Sequence, residues 1–160
     1  MGGVKGSMKK LRGFEIAKGF EDKGINFPVR KTKHAAGYDV EAAEDVIIPK
    51  FVPGQKPVLV KTGLKAYCQE DEYYMLVNRS SGPGKKGLVL ANSIGIIDAD
   101  YYGNESNDGH FMFAFYNFFD YDVLIKKGDV IGQVIFQKYL TIDDDKASGE
   151  RTGGFGSTDK

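Results

Sequence analysis

Nine short stretches rich in Val, Ile, Phe and Tyr, each divided from the next by turn residues, leave this chain few folds to choose from. They read FEIAKGF, YDVEAAEDVIIP, KPVLVKTGLKAY, EYYMLVNRS, GLVLANS, GIIDADYY, HFMFAFYNFF, YDVLIKKGD and VIGQVIFQKYL. Many alternate apolar with polar residues, the period of a strand with one buried face. Pro53-Gly54, Gly82-Pro83-Gly84, the run 104–109 and Lys127-Gly128-Asp129 punctuate them as turns. No stretch longer than about two turns carries a helical period. The pattern predicts an all-β chain: a sandwich, a jelly roll or a barrel. At 160 residues it fits one domain with a real core. The opening MGGVKGS (1–7) has the composition of an expression remnant ahead of Met8. The domain is expected over 8–149, with 150–160 as a flexible C-terminal arm.

Charge narrows the functions. Lys and Arg together number 22, as do Asp and Glu, so no global field favours nucleic acid or an anionic membrane. Any anion site must be a local cluster. No apolar run approaches the ~18 residues of a membrane span. Cys68 is the single cysteine, which excludes an internal disulfide and fits a reducing, cytoplasmic compartment. Its expected role is that of a small buried hydrophobe. His34 and His110 are too few and too far apart for zinc, and the run Asp143-Asp144-Asp145 reads as a solvated loop. HFMFAFYNFF puts Phe111, Phe113, Phe115 and Asn117 on one strand face and Met112, Ala114, Tyr116 and Phe118 on the other. Both faces are apolar, so the strand is either central in a monomer or covered by a second copy of the chain.

The chemistry sits where apolar strands end. NRSSGPGKKG gathers Arg79, Ser80, Ser81, Lys85 and Lys86, with glycines that let backbone N–H groups close on an anion; a basic surface turn is the other reading. Its match to G-x-G-x-x-G fails as a dinucleotide fingerprint, because a proline interrupts it and no helix pattern follows. In ANSIGIIDADYYGN, an extended strand would point Ile96, Asp98 and Asp100 one way, and Ile97, Ala99 and Tyr101 the other. Asp98, beside Ile96 and Ile97, would be partly desolvated and rigid, as a general base requires; a turn-capping aspartate would look the same. Backbone amides beside Asn92 and Gly95 suit the edge of a planar ring. Gln133 places an amide among aliphatics and must bond to backbone or face a ligand. In RTGGFGSTD, Arg151 supplies charge, Phe155 a stacking ring, Ser157 and Thr158 hydroxyls, and the glycines freedom to wrap phosphates. Such an arm would act as a lid.

Taken in order, these segments resemble the five motifs of the trimeric dUTPase family, in the short style of bacterial and phage members. AGYDV (36–40) is similar to the first and RSSGPGKKG to the second. NSIGIIDADYYGN is similar to the third, GDVIGQVIF to the fourth and RTGGFGSTD to the fifth. The resemblance implies a distorted jelly-roll homotrimer whose C-terminal arm reaches a neighbouring subunit, with active sites shared between chains. It implies hydrolysis of dUTP to dUMP and pyrophosphate, aided by Mg²⁺ held through the triphosphate and water rather than by the protein. On it, Asp98 matches the base that orients the attacking water. Asn92 and the backbone around it, with Gly95 and Ile97, match the uracil-reading hairpin, and Tyr101 the residue packing on deoxyribose. Arg79, Ser80 and Gln133 match phosphate contacts, with Ser81 beside them. Phe155 matches the ring over uracil, while Gly156, Ser157, Thr158 and Arg151 match residues of the phosphate-wrapping arm. Asp39 matches a supporting position.

The chain departs from the family pattern at several places. Asn78 stands where proline is usual, Ala91 for a glycine, Val130 for an arginine and Asp159 for a glycine, and Arg151 is one residue closer to its glycine pair. Two other readings remain. A non-catalytic β-sandwich module would need neither Asp98 nor the arm, and a dCTP deaminase would release ammonia. The family resemblance also leaves room for a regulatory protein partner, which no stretch of this sequence supports.

Overall fold

The computed structural model describes residues 9–154. Each of the nine predicted segments contains strand, and two of them hold a pair, giving eleven strands among the described residues. These are β1 (Gly13–Ile16), β2 (Tyr38–Glu41), β3 (Val46–Ile48), β4 (Val58–Lys61), β5 (Leu64–Tyr67) and β6 (Glu72–Val77). After them come β7 (Leu88–Leu90), β8 (Gly95–Asp98), β9 (Met112–Asn117), β10 (Val123–Ile125) and β11 (Val130–Lys138). The segments 38–48 and 56–67 each break in two at a short turn, at 42–45 and at Thr62-Gly63; Gly63 has φ +70°, where a side chain would be strained.

Two larger sheets face each other, as expected of a distorted jelly roll. One runs β2-β11-β6-β8 and the other β4-β9-β7, with the pairs β1-β5 and β10-β3 at the margins. A single core lies between them. Val40, Tyr74, Leu76 and Val134 project from the first sheet; Val60, Leu88, Phe113 and Phe115 project from the second. Strand alternation works as predicted in β6, where buried Tyr74 and Leu76 alternate with half-buried Tyr73, Met75 and Val77.

β9 is central, and the face carrying Phe111, Phe113, Phe115 and Asn117 is fully buried. Its other face is covered only in part. Met112 and Tyr116 are half-buried and Phe118 is 60% exposed, beside exposed Phe51 and Leu59. Asn117 has no exposure at all. Its Nδ2 donates to the Ile48 carbonyl at 3.0 Å and the Tyr121 carbonyl at 2.7 Å, and its Oδ1 accepts from the Phe119 N–H at 2.9 Å.

Gly132 marks the tightest point of the core. β11 is bulged between Val130 and Gly132, and a Cβ on Gly132 would come within 2.7 Å of Phe113 Cζ. Gly132→Ala should therefore cost about 2 kcal/mol. We expect Tm to fall by about 4–8 °C in a thermal melt, since 1 kcal/mol is worth about 2–4 °C in a domain of this size.

GPGKK corrects the expectation of a glycine-rich turn. It forms α1 (Gly82–Lys86), with Pro83 in its first turn and left-handed Gly87 closing it. It escaped the sequence pattern because five residues are too few to show a periodic apolar face. Among the described residues, no helix is long and apolar enough to cross a membrane.

Candidate functional site

β8 carries the aspartate of interest at the edge of the four-stranded sheet, paired only with β6. The strand ends at Asp98, and Ala99–Tyr101 form a single 3-10 turn, so Asp100 is not on the strand as its alternation suggested. The registers fix which groups share a face, because antiparallel partners point the same way. Asp98 faces Tyr73, Ile96 faces Met75, Gln133 faces both Val77 and Asp39, and Ile135 faces Met75. Asp39, Gln133 and Asp98 thus lie on the outer face of one sheet, away from the core.

They do not lie together. Val77 and Tyr73 are four residues apart on β6, which separates the Gln133 end of the sheet from Asp98 by about 13 Å at strand rise. Asp39, Gln133 and the Arg79–Ser81 turn gather at one end, with Gly95 at register with Leu76 nearby. Asp98, Tyr101 and Arg151 gather at the other. The resemblance implied a site shared between chains; within one chain these residues form two separate clusters.

At the Asp98 end the expectation of a desolvated carboxylate also needs correction. The Asp98 side chain is 61% exposed, because β8 is an edge strand and Ile96 points outward rather than into the core. What holds Asp98 is the arm. Arg151 Nη2 donates to Asp98 Oδ2 at 2.8 Å, and its Nε donates to Asp100 Oδ1 at 2.7 Å. Its guanidinium carbon also lies 5.9 Å from the centre of the Tyr101 ring. The guanidinium is raised further above its usual range, first by the hydrogen bond to Asp100. Gly154 packs so closely on Ser106 and Asn107 that a Cβ there would lie 2.8 Å from the side-chain atoms of both. Residues 151–154 lie against Asp98, Asp100, Ser106 and Asn107. Phe155, Gly156, Ser157, Thr158 and the segment 1–7 lie outside the described residues.

Tyr101 is buried, and both roles of its hydroxyl are taken. It donates to the His110 carbonyl at 2.7 Å and accepts from Asn107 Nδ2 at 2.7 Å. Burial raises its pKa, so it stays a phenol. Only the ring face remains to touch a ligand. Asn104 shapes the loop beneath it, accepting from the Ser106 and Asn107 N–H groups and donating to the Tyr101 carbonyl. Sequence reasoning marked 104–109 as a turn, with Asn104 also closing the third motif, and gave neither Asn104 nor Asn107 a supporting role. The signal was there in a dense run of Asn and Asp, which fold their side chains onto nearby backbone.

His110 is a second support that the sequence left unused. Its Nε2 accepts from the N–H groups of Gly63 at 2.9 Å and Thr62 at 3.3 Å. Burial, then the nearby Lys61 charge, pushes its pKa down to about 4. The unfolded chain would bind this proton near pH 6.5, so folding stability is full above that value and is lost as pH falls towards about 4. The loss should reach about 3 kcal/mol. Denaturant melts between pH 7 and 4.5 should show this slope in the wild type and a much shallower one in His110→Gln.

Several residues stand apart from these clusters. Among the hairpin groups, Asn92 is exposed, while Ser93 takes φ +60° and the N–H groups of Ser93 and Ile94 bond internally to Leu90 and Asn92. Two amides expected to be free for a planar ring are therefore already used. Gln133 lies against Gly37, where any Cβ would collide with its amide, so the glycine of AGYDV is what admits this side chain. Lys31 Nζ sits 3.6 Å from Asp39, and Lys86 Nζ 4.0 Å from Asp129. Arg79 and Ser81 are half-buried and Ser80 is exposed. Cys68 borders the same cleft as Asp98, but burial, then the Glu72 charge, pushes its thiol up to about 11. It is half-buried, where the sequence expectation had it buried.

Known proteins resemble this chain along most of its length. The dUTPase family model covers residues 23–159. A deoxyuridine 5'-triphosphate nucleotidohydrolase of Lactococcus lactis is 50% identical over 151 residues, 93% of this chain and 98% of that protein. One from Paramecium bursaria Chlorella virus 1 is 37% identical over 139 residues, 82% and 88% of the two chains. The crystal structure of dUTPase from Streptococcus mutans superposes with a TM-score of 0.76 at 44% identity, covering 82% of this chain and 98% of that one. A dUTPase of Staphylococcus bacteriophage 80alpha, solved with dUpNHpp, shares the fold at a TM-score of 0.66 and 21% identity, over 94% and 99%. With a family model spanning most of its length and a relative half identical along nearly all of it, the chain belongs to the dUTPase family.

Proposed function

We propose that this protein hydrolyses dUTP to dUMP and pyrophosphate, with Asp98 as the general base. The observation that carries the reading is the meeting of Arg151 with Asp98, which brings the arm motif onto the carboxylate motif. Water attacks the α-phosphorus as Asp98 takes its proton; the bond from that phosphorus to the bridging oxygen breaks, and pyrophosphate leaves with the electron pair. Arg79, Ser80, Ser81 and Gln133 hold the phosphates. The hairpin of Asn92, Gly95 and Ile97 reads uracil, and the Tyr101 ring face packs on deoxyribose. Asp39 supports Gln133 from the neighbouring strand. Arg151 must release Oδ2 of Asp98 before water can approach it, and a phosphate is the anion that would draw it away. Phe155 then covers the base, while Gly156, Ser157 and Thr158 close on the outer phosphates and exclude water.

Among the described residues no three His, Cys, Asp or Glu side chains form a metal cage. The donors gathered here suit phosphate oxygens, so Mg²⁺ would be held by the triphosphate and water, where it would draw charge towards the departing pyrophosphate.

A homotrimer completes the site. About 13 Å along β6 separates Asp98 from Gln133 in one chain, so base and phosphate cluster converge only if different copies supply them. The half-covered face of β9, with Phe118 and Phe51 exposed, offers the surface on which copies would pack. The test is pyrophosphate release measured with dUTP, dCTP, dTTP and UTP, alongside sedimentation. We expect turnover of dUTP alone by a three-chain particle. Equal turnover of dCTP, or none at all, would overturn the reading.

A further inference from the structure

Asn78 links β6 to β7 by its side chain alone. It follows the last residue of β6 and precedes Arg79 directly. Its Nδ2 donates to the Leu88 carbonyl at 2.8 Å, and its Oδ1 accepts from the Leu90 N–H at 3.0 Å. Those two backbone groups lie on the edge of β7 that faces away from β9. The opposite edge is already satisfied by β9, through Phe118 N–H on Gly87 and Ala91 N–H on the Ala114 carbonyl. One amide thus occupies the place of a neighbouring strand, donating and accepting as a backbone would.

The consequence falls on the loop between. Residues 79–87 leave at Asn78 and return at Leu88, and the Asn78 amide joins these two points. Within the loop, the Gly82 N–H bonds to the Arg79 carbonyl at 3.1 Å, closing a turn on Arg79, Ser80 and Ser81. Gly82 lies against the same amide: a Cβ there would sit 3.3 Å from Asn78 Nδ2. The base of the loop is therefore pinned, and the residue adjoining the pin is the arginine. A proline, usual at this position in the family, has no amide to make either bond.

We infer that Asn78 is a positioning residue that sets the Arg79–Ser81 turn for the triphosphate. This rests on the reading that Arg79 and Ser80 hold phosphates. It acts through the loop and touches no substrate. The nucleoside end of the site should be indifferent to it, because β7 keeps its pairing with β9 and β8 its backbone pairing with β6, neither of which uses the Asn78 side chain.

Calorimetric affinities for dUpNHpp and for deoxyuridine, with Tm, test this in the full-length protein and in Asn78→Ala, Asn78→Asp and Arg79→Ala. The isosteric Asn78→Asp keeps the acceptor for Leu90 and loses the donor to Leu88, so it serves even if the alanine variant folds poorly. Expected is a tenfold or greater loss of dUpNHpp affinity in both Asn78 variants, with deoxyuridine affinity within about twofold of wild type. If Arg79→Ala weakens dUpNHpp and neither Asn78 variant does, this inference fails alone. If deoxyuridine affinity falls in parallel, Asn78 is merely structural and the inference fails. If Arg79→Ala binds dUpNHpp as wild type does, the phosphate reading fails and takes this one with it.

Discussion

Asp98→Asn is expected to lower kcat for dUTP by about 10²–10⁴-fold, the usual worth of general-base assistance, while nucleotide affinity stays within about twofold. The amide keeps the size of the carboxylate and still offers an oxygen to Arg151, but it takes no proton from water. Stability should barely move. The Asp98–Arg151 pair sits on a side chain 61% exposed, and pairs so open to solvent are worth about 0–1 kcal/mol. Steady-state kinetics beside a thermal melt separate the two effects. Asp100→Asn is the control, since Asp100 also binds Arg151 but stands off the strand, on the 3-10 turn. Full activity in Asp98→Asn, or an equal collapse in Asp100→Asn, would remove Asp98 from its assigned role.

Ending the chain at Glu150 should cut turnover by at least about 10²-fold, the scale on which single transition-state donors are felt. Removing the arm takes away Arg151 and the residues assigned to base and phosphates together. The fold should survive. Nothing after β11 belongs to a sheet among the described residues, and Arg151 bonds only to the exposed carboxylates of Asp98 and Asp100. We expect Tm within a few degrees of wild type and an unchanged sedimentation coefficient. A truncated protein that sediments as single chains would make the arm a structural clasp instead.

The strands were legible because alternation and turn chemistry agree along most of the chain. Val, Ile, Phe and Tyr crowd the strand segments, and Pro53-Gly54 or Lys127-Gly128 breaks the pattern where the chain reverses. The limits of that logic are equally local. Alternation carried past Asp98 put Asp100 on a strand, but β8 has no partner beyond Tyr73 and turns into a 3-10 turn. The preceding Ile96 and Ile97 made Asp98 look partly buried. Burial is decided by which strand lies at the edge, and no single segment records that. The motifs named Asp98, Tyr101, Gln133 and Arg151, yet not their distribution over opposite ends of one sheet. That depends on register between β6, β8 and β11, a property of pairs of strands. Asn104, Asn107 and His110 went unassigned for a related reason: each serves a neighbour distant in space or in role, and turn composition announces only the turn.

Asn117 has a consequence for how this molecule comes apart. Its one side chain clasps the end of β3, the turn at 119–121 and, through its own strand, the middle of the sheet. Loosening any of these strands a buried amide without partners, a cost large enough to hold the others in place. The β3–β10 ribbon should accordingly open to solvent as a cooperative unit rather than fraying strand by strand, although its outward-facing Ile47 and Leu124 are more than half exposed.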